Sequence, residues 1–496
     1  RIRMEKAEQV SEDKKSGEKK PTDATEEDVC VFEKILHLNK LGALCLAGGS
    51  NIKAKSILKK TISYYEEMVI KKEVPSIFYG NLYCNYAKAL SVDKEFDEAE
   101  IVYKKVIDNH PFKKLLMDSK SELLEKYFID ITDLYTIKDF NDEELLKRVK
   151  SILGLYSLEN PQEFTPPKKF FKNNLNSVVY YADSLVNLSV IFQYKYKESL
   201  TSLNLFCLAL LCDPNNSVAN IDFNGFLREN NFKYLSDQFI SSRIAFDMQR
   251  DNKIVNNIPQ SLGLLKDQIY ANSWKEKNFF SFVCMKWGTK YGADYVNKLY
   301  NGVKRHFKKP FKFFCITENK TDIDSEVVIL DMAELNGNFK GFMKKSNLFN
   351  RQITKNFGKK ICFIDLDMIV CNDITGFNDY DGDFCLMNTN DIKCEGSKDG
   401  YNSSIVLWRN NMFDKVYDFL LQYHDYITKQ ITRFDHYLEF LVKDSDFVQV
   451  EFPGMILDYN FYCKDKKELP EKGAIIAFPR SPKPHECSEE WIKKFW

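Results

Sequence analysis

The sequence predicts a multidomain chain, an all-α half followed by an α/β half built on a mostly parallel sheet. Three observations carry this. A length of 496 residues exceeds what one hydrophobic core ordinarily holds. From about Val29 to Asn252, apolar residues recur at helical spacing, glycines are few and no alternating strand is apparent. From Phe279 onward, short apolar runs alternate with amphipathic segments, the pattern of strand–helix–strand units.

The elements follow in order. Residues 1–28 are charged and polar, with almost no large apolar side chains, and are expected to be disordered. Residues 29–252 form the helical domain, 253–278 a linker and 279–496 the α/β domain. Inside the helical part, a 34-residue window from Gly80 puts Tyr83, Ala87 and Leu90 on one helix. The same window puts Ala99, Tyr103 and Val106 on a second helix, and Pro111 at the closing turn. A second window from Asp183 repeats the phase with Ser202, Phe206, Ala209 and Pro214, although Val190 stands where a small residue is wanted. This small–aromatic–small–proline order resembles the tetratricopeptide repeat. The resemblance implies a short solenoid of helical hairpins that bury one another's faces, with a groove for a protein partner. The alternative is an irregular helical bundle.

In the α/β half, Phe279–Cys284 reads as a buried first strand and Ala293–His306 as an amphipathic helix. Phe311–Ile316 and Glu326–Leu330 are the next strands, and a helix is expected near Lys345–Phe357. The apolar run Ile361–Ile364 then ends in Asp365-Leu366-Asp367. At period two, the two carboxylates fall on one side of an extended segment while Leu366 points away. Paired oxygen ligands suit a hard divalent cation, and parallel sheets bind ligands beyond the carboxyl ends of their strands.

Composition excludes some classes. Seventy-one basic and 71 acidic residues cancel, so no bulk field draws the chain to nucleic acid or anionic lipid. The 13 cysteines are odd in number, lack any Cys-x-x-Cys pair and include Cys207, Cys212 and Cys362 inside apolar runs. Buried thiols in a reducing cytoplasm fit this better than disulfides or a zinc site. The most apolar run, Leu203–Cys212, is about half of what a bilayer needs, so no transmembrane segment is expected. Arg1-Ile2-Arg3-Met4 leads straight into charge, which does not read as a secretory signal.

Six landmarks in order sharpen the second half. Lys286-Trp287-Gly288-Thr289-Lys290-Tyr291-Gly292 precedes Tyr295-Val296-Asn297-Lys298-Leu299-Tyr300. Lys344-Lys345-Ser346-Asn347-Leu348-Phe349 lies ahead of the acidic strand, which trails into Asp373-Ile374. Asn402-Ser403-Ser404, Asp435-His436 and Pro482-Lys483-Pro484-His485-Glu486 complete the series. Over roughly residues 279–496 these resemble GT-A-fold glycosyltransferases, specifically glycogenin-like nucleotide-sugar transferases and their bacterial relatives.

The resemblance implies transfer of a sugar, with retention, from a nucleotide-sugar donor of the UDP-sugar class to a carbohydrate or protein acceptor hydroxyl. It implies Mn²⁺ or Mg²⁺ held by Asp367, with Asp365 sharing the metal or holding the donor's ribose. Lys345, with Lys344 as competitor, would reach a phosphate or sugar hydroxyl. Lys286, Trp287 and Gly288 form the loop expected at the nucleotide, with Trp287 stacking or packing in the core. Asp435 is expected near the reacting sugar, Asn402 orienting donor or acceptor, and His436 on the helix surface. Lys483 or Arg480 would meet the diphosphate. The related enzymes usually add a histidine as third metal ligand, where this chain has Phe478-Pro479-Arg480; His485 is the nearest substitute.

Two other functions compete. Aspartyl-phosphate phosphatases also use Asp-x-Asp after an apolar strand, normally the first strand and with Thr or Val next. Here Met368 follows and three expected strands precede. The other is a helical-repeat interaction protein carrying an inactive transferase-like domain.

Overall fold

Among the described residues, every element as far as Arg250 is helical, and a sheet begins at Phe280. The computed structural model describes residues 26–71, 79–111, 113, 134–135, 142–153, 178–251, 277, 279–332, 335, 337, 339–392, 398–410, 413–443 and 445–496. The chain divides into two compact units, residues 1–115 with 170–187, and 116–169 with 188–496. The segment expected to be disordered lies outside the described residues as far as residue 25, and Glu26 opens the first helix. The expected linker lies outside them too, apart from Lys277.

The first unit holds α1 (Glu26–Ala47), α2 (Asn51–Ile70), α3 (Gly80–Val92) and α4 (Phe96–Asn109). The α1–α2 turn needs the left-handed conformation, which Gly49 supplies at φ +75°. In the first repeat window, Tyr83, Ala87 and Leu90 on α3 and Ala99, Tyr103 and Val106 on α4 are all buried. This is a helical hairpin with small and aromatic residues at its seam.

Next in the chain come α5 (Asp142–Leu153), α6 (Val178–Ile191), α7 (Ser199–Cys212), α8 (Ser217–Glu229) and α9 (Lys233–Arg250). In the second window the close approach falls on Ser189, one residue before half-buried Val190. Ser189 Oγ donates to Ser202 O at 2.8 Å, and Ser202 Oγ returns a bond to Ser189 O at 3.0 Å. The face of α9 belongs to the α/β core. Ile240, Ile244 and Met248 are buried in one apolar cluster with Val283, Met285, Phe314 and Phe349.

The sheet is built from β1 (Phe280–Lys286), β2 (Phe311–Thr317), β3 (Val328–Asp331), β4 (Lys360–Ile364), β6 (Phe384–Asn388), β7 (Tyr401–Arg409) and β8 (Asp446–Phe447). Among the described residues its order is β3-β2-β1-β4-β7-β6-β8. β1 to β4 run parallel, while β7 is antiparallel to both its neighbours. α10 (Ala293–His306) follows β1, and α11 (Asp414–Ile427) and α12 (Phe434–Leu441) follow β7. A smaller sheet joins β5 (Met368–Val370), β10 (Ile475–Ala477) and β9 (Ile456–Asp458) in the order β5-β10-β9.

Two expectations need correction. The helix near Lys345–Phe357 is a 3₁₀ segment, Gly341–Phe349, followed by one α-helical turn, Arg351–Thr354. Asn350 breaks them: its backbone is extended and its Oδ1 accepts from Gln352 N at 2.9 Å, capping a new turn instead of continuing the old one. The Asp-x-Asp segment is also not one extended strand. β4 ends at Ile364 and the chain turns at 365–367 to enter the second sheet at Met368. Leu366 is buried in the core with Cys284 and Met368, so the turn leaves its two acids on the polar side.

Candidate functional site

The antiparallel course of β7 brings its first residues beside the end of β4, with Ile405 opposite Ile364. Asp365 N donates to Ser404 O at 2.8 Å and extends that ladder by one step. The Asp-x-Asp turn and Asn402-Ser403-Ser404, which open β7 instead of forming a turn of their own, are thereby neighbours. Both lie beyond the carboxyl ends of β1 and β4, where open parallel sheets take ligands.

Each acid is held by a different lysine. Lys345, buried on its 3₁₀ segment, donates through Nζ to Asp365 Oδ2 at 2.8 Å and to Ser403 Oγ at 3.3 Å. Lys483 Nζ donates to Asp367 Oδ2 at 2.7 Å, and the Tyr291 hydroxyl donates to the same oxygen at 2.9 Å. Side-chain exposure is 8% for Lys345 and 23% for Asp365, and 13% and 16% for Lys483 and Asp367. Water therefore screens neither pair as it would on an open surface, though both keep an open side.

Electrostatics matches this geometry. Burial pushes the Asp365 carboxyl up to about 6; the Lys345 ammonium opposes that rise and Asp367 adds to it. Burial, with the Asp367 charge beside it, pushes the Tyr291 phenol far above its usual range, so the hydroxyl remains a donor.

The other expected site residues fall around this pair. Ser403 N donates to Asp435 Oδ1 at 2.7 Å, placing Asp435, in the first turn of α12, one residue's width from Lys345. Asn402 Oδ1 accepts from Ser404 N at 3.0 Å, which fixes its side chain at the start of β7. Lys286 ends β1 and is buried, its Nζ 3.4 Å from Asn319 O. Trp287 is half-buried and packs against the main apolar cluster. Gly288 adopts φ +62° with open space around its Cα, so the backbone conformation, not crowding, calls for glycine. Its N–H donates to Glu318 Oε1 at 2.9 Å and holds that carboxyl below its usual range. Lys344 is 3.5 Å from the other Glu318 oxygen, and a cavity of about 220 Å³ opens there between Glu318, Met332, Phe339, Lys344 and Asn347.

Two residues stand apart. His485 is exposed and hydrogen-bonds the Tyr295 hydroxyl, so Lys483, not a histidine, reaches the acids from the C-terminal loop. His436 is half-buried, not on the helix surface: burial and the Arg228 charge pull its imidazole down to about 3. Tyr291, Ser403 and Glu318 make contacts that the sequence did not assign. Tyr291 and Ser403 sit inside recognised motifs, but a single tyrosine or serine carries no spacing that reveals a partner.

The metal that the resemblance implies can be tested against this donor set. Among the described residues, no group of three His, Cys, Asp or Glu could hold a metal ion. Mg²⁺-like cations, however, are commonly held by one or two carboxylates, with substrate phosphates and water supplying the rest. Asp365 and Asp367 fit that role, once their lysines have another anion to meet.

No family model matches this chain, and no curated protein does.

Proposed function

We propose that the α/β part of the second unit transfers a sugar from a nucleotide-sugar donor of the UDP-sugar class to an acceptor hydroxyl, with retention. What supports this most is the convergence of two acids and two lysines, separated in pairs by 20 and 116 residues, at one sheet edge. Around them stand Asp435 and Asn402, the side chains that the resemblance puts near the reacting sugar.

In this reading the bond between the sugar's anomeric carbon and the β-phosphate oxygen breaks, and its electron pair leaves with the nucleoside diphosphate. The acceptor oxygen bonds to the anomeric carbon and gives its proton to the departing phosphate. Lys345 and Lys483 face the negative charge that builds on the leaving group. Asp435 and Asn402 hold sugar hydroxyls, each oriented by the backbone of residues 403–404. Asp365 and Asp367 would hold the divalent cation, which when bound would supply Lewis-acid neutralisation of leaving-group charge. The cavity beside Glu318 and Gly288 receives the nucleoside. The acceptor is a carbohydrate or a protein, and the helices of the first unit are the proposed contact surface for a protein partner.

An aspartyl-phosphate enzyme is disfavoured, because β1, β2 and β3 all precede the acidic turn and the first acid is paired with Lys345. A thermal-shift panel of sugar nucleotides with Mn²⁺ tests the transferase reading. A ligand at about 100 times its Kd stabilises by about 2.7 kcal/mol, a rise of several degrees in Tm. One or more donors should give that rise, and Asp365→Asn should reduce it. No shift with any donor leaves the interaction-protein reading standing.

A further inference from the structure

The four charged groups of the acidic turn sum to zero. Lys345 pairs with Asp365 and Lys483 with Asp367, at 2.8 and 2.7 Å, all four largely withdrawn from water. An anion approaching alone finds both ammonium groups already satisfied by carboxylates. A cation approaching alone finds both carboxylates already satisfied by ammonium groups. Either ion by itself must break a partly buried pair and leave the opposite partner uncompensated, and that is the strongly unfavourable way to disrupt such a pair. A diphosphate and a divalent cation arriving together exchange partners without stranding any charge: carboxylates to the cation, ammonium groups to the phosphate oxygens.

We propose that this site is a charge-exchange site for the divalent cation and the nucleoside diphosphate as one joint ligand, each ion strengthening the other's binding. The inference rests on the transferase reading and goes beyond it: a metal–phosphate bond alone would couple the two ions, and the lysine pairs add a penalty on either ion arriving by itself. That penalty is what the two variants below read by sign. The feature is built from three segments: Lys345 precedes the turn by 20 residues and Lys483 follows it by 116, so local sequence does not force either pair. Tyr291 adds to the bias, since its hydroxyl donates to the Asp367 oxygen that Lys483 also holds.

The test is isothermal titration of the full chain with uridine diphosphate in EDTA, with Mn²⁺ alone, and with each at saturating concentration of the other. Coupling is reciprocal, so each ion should tighten the other by the same factor, expected to be at least tenfold. Two variants give a sign that no merely structural role would produce. Lys483→Met frees Asp367, and should tighten Mn²⁺ alone while weakening uridine diphosphate alone. Asp367→Asn frees Lys483 and should do the reverse. Circular dichroism of both variants confirms that each is folded, and the wild-type titrations stand even if one is not. Equal affinity for uridine diphosphate with and without Mn²⁺ overturns the proposal, as do variants that shift both ions in the same direction. Absence of uridine diphosphate binding under every condition overturns the transferase reading itself, and this inference with it.

Discussion

Asp222, on α8, shows how burial alone sets the behaviour of one side chain. Burial raises its carboxyl to about 6, from an ordinary value near 3.8. The folded chain therefore holds a proton there that the unfolded chain has lost, between about pH 4 and pH 6. Stability falls as pH rises through that window, and the cost is fully in place above it. Asp222→Asn removes the charge and keeps the shape. It should stabilise the chain by about 1 to 2 kcal/mol at pH 7.5 and by almost nothing below pH 4, read from denaturant melts at both pH values. An equal gain at both would mean that charge burial is not the cause. Unlike Asp222, each acid of the acidic turn has a lysine within 3 Å. Those acids, with Lys345, Asn402, Asp435 and Lys483, were legible from residue type and order. Which lysine meets which acid was not, because that depends on where the 3₁₀ segment and the C-terminal loop arrive.

At the scale of elements, α12 carries Asp435 and is anchored through Glu439, buried against Arg228 of α8 and 3.2 Å from Lys233 of α9. Burial lowers the Arg228 guanidinium to about 10, so it stays charged at neutral pH. Arg228→Met should destabilise the chain by about 2 to 3 kcal/mol, because it leaves a buried carboxylate with only Lys233. Arg228→Met with Glu439→Leu should recover most of that loss. A double variant as unstable as the single one would contradict the argument. These contacts explain why α8 and α9 cannot be cut away to isolate the α/β part. Removing them would also uncover Val283, Phe314 and Phe349, which share a core with Ile240 and Ile244. The i, i+4 spacing of those two isoleucines announces an apolar face, but a spacing cannot say which sheet the face meets. β1 and β2 were legible because their runs are mostly apolar, and α10 because its apolar residues recur at helical spacing. The break at Asn350 was not, since asparagine inside a periodic run signals a cap only once its side chain is seen to accept from Gln352 N.

For the whole molecule, the two halves of different texture are present: helices first, then a sheet of which β1 to β4 are parallel. Among the described residues, no helix is long and apolar enough to cross a membrane. The strand order and directions bring the acidic turn and the β7 start together, the C-terminal loop reaches them through Lys483, and the central claim is that sugar transfer occurs there. Turnover tests it most directly: release of nucleoside diphosphate from a panel of sugar nucleotides in Mn²⁺, wild type beside Asp365→Asn and Asp435→Asn. Release from at least one donor is expected, lowered about a hundredfold or more in both variants. Release that is absent from every donor, or unchanged in both variants, would contradict it.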